Sequence, residues 1–283
     1  MSTPAAGGRS LSKSVAVGVL LGAAFLLSVL IYKELFMVLA AAAAGAGAWE
    51  LSSALRLKGW YVPRVPAVVG SVLIMPAAFY GGAEMQWLVS LTIVAALILW
   101  RTVHLAWEAR EAPRQAIAHT LRDYAASAFV VIYLPLMTSF TMLLLRRPDG
   151  AAWVITFVVT VAMIDTAGYL VGRKFGKHKL APGVSPKKTW EGLVASISAG
   201  AISAVLFTEI FWDFQWWGGI LLAAVLLLAA VFGDLAESLI KRDLGVKDMS
   251  SLLPGHGGVM DRLDSILPSA LITYLFAQAL LPL

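Results

Sequence analysis

The chain alternates long apolar stretches with short polar ones. Nine apolar runs come near the roughly 20 residues that cross a bilayer as a helix. They are 14–32, 35–55, 66–80, 85–100, 124–145, 151–171, 192–211, 218–239 and 259–283, and the third and fourth are short. The pattern predicts an all-α fold: a polytopic membrane helix bundle of about nine transmembrane helices. The first run follows Arg9 and Lys13, a flank like that of a signal peptide. It is too long for a typical signal h-region and reads as a retained anchor. The small-residue tract 40–48 could mimic a cleavage site, but it is better explained as a closely packed helix face.

The polar residues give the bundle a direction. With the N-terminus inside, 19 of the 22 lysines and arginines fall in cytoplasmic segments, and only Lys33, Arg146 and Arg147 fall outside. The positive-inside rule therefore predicts N-in, C-out, in a cytoplasmic (inner) membrane, multi-pass, with the basic loops facing the cytoplasm. The net charge of +5 has the same origin. It suits anionic lipid and nucleotide, and needs no nucleic acid. Composition agrees, with 59% hydrophobic and 14% charged residues, against roughly 45–50% and about 25% in soluble domains. There is no cysteine, which excludes disulfides, thiolate metal sites and thiol catalysis.

No internal repeat is evident. Residues 1–123 read as N-terminal membrane helices plus an amphipathic linker, 101–123, broken near Pro113. Glu50 is the exceptional carboxylate within these spans, a ligand or, preferably, a helix-packing or interfacial group. Residues 124–283 read as catalytic membrane helices with cytoplasmic loops. The aromatic cluster at 211–217 is accounted for by an outer interfacial belt.

From residue 151 the character changes. Asp165, Glu191, Asp234, Glu237, Asp261 and Asp264 lie in or at the ends of spans, all toward the cytoplasmic side. Intramembrane carboxylates are expensive and face a cavity or a partner, which makes these candidates for function. Asp234 and Glu237 are three residues apart, on one helix face, and Asp261 and Asp264 repeat that spacing. Two helices can thus present two carboxylates each to one cleft. Oxygen-only ligands suit Mg²⁺, or Mn²⁺ as another hard cation. Simpler readings stay open: Glu237 with Lys241 makes an ordinary i, i+4 ion pair, and Asp261 and Asp264 could complement a helix N-terminus.

Between these helices runs Pro254-Gly255-His256-Gly257-Gly258. Glycines let a backbone approach phosphates, and a following helix N-terminus favours an anion, although the segment could be just a turn. His256 is the lone histidine of this region, structural or catalytic. Lys241, Arg242, Lys247 and Arg262 can bind phosphate oxygens, or simply express the positive-inside bias. A second cluster, Ser185-Pro186-Lys187-Lys188-Thr189-Trp190-Glu191-Gly192, has two lysines and two hydroxyls to grip a triphosphate. Ser185 or Thr189 could also cap the next helix. Asp165-Thr166-Ala167-Gly168 adds an inward carboxylate beside small residues.

Together these residues resemble the phosphatidate cytidylyltransferase (CDP-diacylglycerol synthase) family. Ser238, Lys241-Arg242, Lys247-Asp248, Ser250, Pro254, His256-Gly257-Gly258 and Asp261-Arg262-Leu263-Asp264 match its signature without a gap. Residues 185–192 resemble its second block. The resemblance is strong over about 160–265. Before residue 150 it extends only to being helical and apolar. Ala167-Gly168 departs from the family in the order of its small residues.

The resemblance implies that CTP and phosphatidate give CDP-diacylglycerol and pyrophosphate. It implies catalytic roles for Asp234, Asp261, Asp264, His256 and Lys241, and metal binding by Asp234, Asp261, Asp264 and Glu237. It implies substrate binding by Ser185, Lys187, Lys188, Thr189, Ser238, Arg242, Lys247, Gly257, Gly258, Arg262 and Asp165. A second, monovalent cation such as K⁺ is implied by the family alone. Expected partners are CTP, phosphatidate and membrane lipids, with a homodimer left open. The nearest alternatives are another CTP-dependent lipid enzyme, such as a polyprenol kinase or an archaeal CDP-lipid synthase. The complete signature disfavours the kinase. A cation-coupled transporter would place its carboxylates near the bilayer midplane, often with repeat symmetry.

Overall fold

The computed structural model describes residues 11–108, 110, 119–181, 185–250, 252 and 257–280, with the side chains of 11–19, 21, 181 and 185–187 outside the description. In chain order the elements are α1 (Leu11–Ile31), α2 (Lys33–Leu57), α3 (Arg64–Glu108), α4 (Thr120–Val131), a π-helical turn (Ile132–Leu136), α5 (Met137–Leu145), α6 (Gly150–Phe175), β1 (Lys179–Ala181), β2 (Ser185–Thr189), α7 (Trp190–Trp212), α8 (Trp216–Leu244), α9 (Met260–Leu263) and α10 (Ile266–Leu280). Among the described residues, seven helices are long and apolar enough to cross a membrane. They are α2, α3, α4 continued through α5, α6, α7, α8, and α9 continued through α10; residues 22–31 of α1 form a shorter apolar helix. Trp153, Phe157, Leu51, Ile74, Leu134, Leu144 and Leu222 are fully buried between them. Exposed Leu, Ile, Val and Trp side chains cover the outside, which is the surface a lipid solvent would select.

The two short runs expected at 66–80 and 85–100 form one 45-residue element, α3. A straight helix of that length would reach about 68 Å, more than twice the hydrocarbon thickness. Instead the helix breaks at Gly82, with φ 73° and ψ −163°, a conformation that only glycine adopts readily. The halves then fold back on each other. A Cβ added at Gly70 would lie 2.5 Å from Ile93 Cγ2, although a straight helix would hold those residues about 35 Å apart. Each short run is therefore one arm of a helical hairpin. The π-helical turn around Pro135 was not legible in the apolar run 124–145, nor was the antiparallel pair of β1 and β2, with Lys179 opposite Thr189 and Ala181 opposite Ser185.

The amphipathic linker is also revised at its ends. Arg101–Glu108 continues α3, and Pro113 lies outside the described residues. Arg101 and Asp123 are buried rather than on the surface, and pair at 2.7 Å. Asp123 also accepts from the Tyr61 backbone N–H at 3.1 Å, and Arg122 donates to the Gly59 carbonyl. Pairing is what lets these charges be buried; removing one partner would strand the other.

Polar contacts gather at the two ends of the bundle. At one end Lys33 donates to the Arg147 carbonyl at 2.8 Å, and Asp149 accepts from Arg147 Nε at 3.1 Å, Trp153 Nε1 at 2.7 Å and Trp212 Nε1 at 2.8 Å. At the other end lie the Arg101–Asp123 pair and the carboxylates of the α8–α10 region. Burial alone would push the Asp149 carboxyl up. The hydrogen bonds from Trp212, Arg147 and Trp153 outweigh it and hold the group below the usual carboxylate range.

A depressed folded pKa contributes stability that is present above the unfolded value, about 3.9, and is lost as pH falls through the folded one. Asp149→Asn should therefore lower the melting temperature at pH 7 by about 3 °C and flatten the acid limb of its pH dependence. Thermal melts from pH 7 to 3 in detergent read this directly. Parallel curves for variant and wild type would contradict it.

Candidate active site

Helix α8 supplies the spine of the site. Asp234, Glu237, Ser238 and Lys241 occupy positions i, i+3, i+4 and i+7, a single stripe along the helix. The junction of α9 and α10 is pressed against this stripe. A Cβ at Gly233 would collide with the Asp264 carbonyl and come within 2.9 Å of Pro268 Cγ, so only glycine permits the contact. The close approach brings Asp261 and Asp264 to the α8 carboxylates, as the paired i, i+3 spacings predict.

Lys241 sits between two acids. Its Nζ donates to Glu237 Oε2 at 3.0 Å and to Asp261 Oδ1 at 2.8 Å. Glu237 is fully buried, and its carboxyl faces that of Asp264 within hydrogen-bond reach. Glu237 Oε1 is buried with no donor among the described residues. Asp264 Oδ1 accepts from the Ser265 backbone N–H at 2.7 Å. Asp234 pairs with Lys188, which β2 carries in from the opposite side. Asp165, on α6, is exposed to the cleft, hydrogen-bonds to Ser265 and faces Asp264, Asp234 and Lys188. Seven candidates, from α6, β2, α8 and α9 with its junction to α10, thus meet at one end of the bundle.

Asp261 is used differently from its neighbours. Besides Lys241, it accepts from the backbone N–H groups of Met249 at 3.1 Å and Gly258 at 2.8 Å. It ties the loop before α9 to the site. Gly257 has φ +83° at the turn of that loop. Among the described residues, no three carboxylate or imidazole groups stand together as a metal site. Glu237 and Asp264 are two carboxyls that face each other, and Glu237 Oε1 has no donor among the described residues.

The remaining candidates are placed as follows. Thr189 is buried, and its hydroxyl caps α7 by accepting from Gly192 N at 3.1 Å. Ser238 lies on the α8 stripe, one turn beyond Asp234. Lys247, Arg242 and Arg262 are exposed on the same end of the bundle. His256, with Pro254 and Gly255, lies outside the described residues, as do the side chains of Ser185 and Lys187. Glu191 departs from the expected convergence of six carboxylates. It turns to the β hairpin, accepting from His178 Nδ1 at 2.7 Å and from its backbone N–H at 3.3 Å.

Near the site, one residue was missed from sequence and another was read only in part. Tyr133, on the π-helical turn, has a buried hydroxyl without a partner among the described residues, and the charges it faces are those of Glu237, Asp264 and Asp234. The signal was Pro135 in mid-span, where the i→i+4 ladder must be disturbed. Glu50 was noticed, but not its reach. It is buried and hydrogen-bonds to residues 250, 259 and 260.

Comparison with known proteins gives the same answer along nearly the whole chain. The cytidylyltransferase family matches residues 12–280. The phosphatidate cytidylyltransferase of Mycobacterium leprae (strain TN) is 37% identical over 282 residues, covering 96% of this chain and 89% of the relative. That of Mycobacterium bovis is 33% identical over 270 residues, covering 95% and 88%. A phosphatidate cytidylyltransferase of Brucella suis is 39% identical over 141 residues, 49% of this chain. The carboxylate cleft lies inside the matched region, and the chain belongs to the cytidylyltransferase family, a family of nucleotidyltransferases.

Proposed function

We propose that this enzyme transfers the cytidylyl group of CTP to phosphatidate, giving CDP-diacylglycerol and pyrophosphate. The observation that carries the reading is the cleft itself: Asp165, Lys188, Asp234, Glu237, Lys241, Asp261 and Asp264 meet at one end of a lipid-facing bundle. The names of the relatives, phosphatidate cytidylyltransferases, support phosphatidate as the lipid substrate. A phosphate oxygen of phosphatidate attacks the α-phosphorus of CTP, forming a new P–O bond. The bond from the α-phosphorus to its bridging oxygen breaks, and pyrophosphate leaves with the electron pair. The nucleophile is already anionic, so no strong base is needed, and catalysis consists of positioning and charge neutralisation.

A divalent cation such as Mg²⁺ fits the residues present. Mg²⁺ is commonly held by one or two carboxylates, with waters and substrate phosphates completing its shell. Glu237 and Asp264 form such a partial set, and the unpartnered Glu237 Oε1 is the orphan oxygen a cation would satisfy. When bound, the cation neutralises charge on the triphosphate. Lys241 keeps Glu237 and Asp261 in place, and Lys188, with Lys187, Arg242, Lys247 and Arg262, offers charge to the phosphates. In this reading the chain crosses the inner membrane nine times, N-in and C-out, with the α3 hairpin counted twice and α1 included. The cleft then opens to the cytosol for CTP and sideways to the inner leaflet for lipid.

Three measurements test this. Asp264→Asn should lower turnover at least about a hundredfold in folded protein, and near-normal CDP-lipid synthesis would remove Asp264 from the chemistry. Lys188→Ala should raise the KM for CTP about tenfold, near 1.4 kcal/mol, while leaving that for phosphatidate within about twofold; equal effects on both would argue against triphosphate binding. A cysteine placed by Asp243→Cys, at the exposed end of α8, should react with an impermeant reagent only from the cytoplasmic side. Labelling from the periplasmic side would reverse the topology.

A further inference from the structure

We infer that Glu50, on α2, is a positioning residue that clamps the loop between α8 and α9 in the shape the site requires. The inference rests on the cytidylyl-transfer reading of the cleft and adds a part that comes from the N-terminal half of the chain.

Glu50 is 4% exposed. Its Oε1 accepts from Ser250 Oγ at 2.5 Å and from the Val259 backbone N–H at 3.0 Å; its Oε2 accepts from the Met260 backbone N–H at 2.9 Å. Among the described residues no basic side chain pairs with it. Its charge is therefore answered by one hydroxyl and two backbone N–H groups, all from the loop and the first residue of α9. A carboxylate inside a membrane helix is costly, and three charge-assisted hydrogen bonds are what offset that cost here.

The two sides of the loop depend on the same carboxylate. Ser250 lies six residues beyond the end of α8, on the incoming side of the loop, and Val259 and Met260 lie where the chain enters α9. Glu50 thus pins both sides of a loop whose intervening turn carries Gly257 and Gly258. The fit is tight: a Cβ at Gly258 would lie 2.6 Å from Glu50 Oε2 and 3.0 Å from Cδ, so a side chain there would displace the carboxylate. On the other side, Gly258 N–H donates to Asp261, which holds Lys241. The contacts run without interruption from α2 through the loop to the α8 stripe. Among the described residues, the hydrogen bonds of Glu50 go to the loop and the start of α9 and none goes to the carboxylates or lysines of the cleft, so its effect on the chemistry is exerted through the loop.

A residue that merely stabilised the bundle would change the melting temperature and leave the kinetics of the folded enzyme alone. Glu50→Gln keeps the shape but replaces one acceptor oxygen with a donor that opposes the loop's own donors. In full-length protein in lipid nanodiscs, we expect kcat to fall at least about tenfold and the KM for CTP to rise more than that for phosphatidate. The melting temperature should move by only a few degrees. Amide hydrogen exchange should speed up in residues 249–262 and stay unchanged in α6 and α7. Gly258→Ala should impair wild type strongly, and should cost much less when added to Glu50→Ala, because the clashing carboxylate is then gone.

Normal kcat and KM with unchanged loop exchange in Glu50→Gln would overturn the inference, as would strict additivity of Glu50→Ala and Gly258→Ala. Absence of CDP-lipid synthesis by the wild type would instead overturn the proposed function. The loop exchange would still decide whether Glu50 acts as the clamp.

Discussion

Negative charge inside a bilayer must be answered, and this structure is organised by how each carboxylate is answered. Lys241 is the pivot, binding Glu237 on its own helix and Asp261 across the junction of α9 and α10. Without it, the fully buried Glu237 would lose the donor to its Oε2, and a buried charge left unpaired costs several kcal/mol. Asp234 is answered by Lys188, and Glu50 by the loop donors. Glu237, facing Asp264, keeps one oxygen without a donor among the described residues, and in the proposed mechanism this surplus of charge is what a cation would answer.

Such contacts form only where helices come close. At Gly233 the α9–α10 junction lies so near that any side chain would strike the Asp264 carbonyl. Between α6 and α7, Gly168 and Gly172 face Ser196 and Gly192, and Ser196 Oγ donates to the Ile164 carbonyl at 2.7 Å. With no hydrophobic drive between helices in lipid, small residues and short hydrogen bonds hold them together. The same packing fixes α6 and the β hairpin, and so places Asp165 and Lys188 against Asp234. The apolar scaffold and the polar cleft are therefore one construction.

Much of this was legible in the sequence because it is local. Apolar run length gave the helices, i, i+3 spacing gave the paired carboxylates of α8 and of α9 with its junction, and the Lys188–Asp234 approach was implicit in two charged blocks at one bundle end. What could not be read is non-local or conformational. Glu50 is 200 residues from Ser250, and neither periodicity nor spacing relates them. Glu191 has the same composition signal as Asp234, yet it turns to His178, because the β hairpin offers a closer partner. Runs 66–80 and 85–100 read as two separate short spans; their union in one hairpin depends on a single backbone conformation at Gly82. The π-helical turn that aims Tyr133 at the acids shows only as a proline within an apolar run.

The account stands or falls on whether the surplus charge between Glu237 and Asp264 holds a cation during nucleotide binding. Anomalous scattering from crystals grown with Mn²⁺ and a non-hydrolysable CTP analogue measures this. The account predicts a manganese peak in contact with Glu237 and Asp264, lost in Glu237→Gln. A peak bound only at other residues, or one that survives Glu237→Gln unchanged, would contradict it.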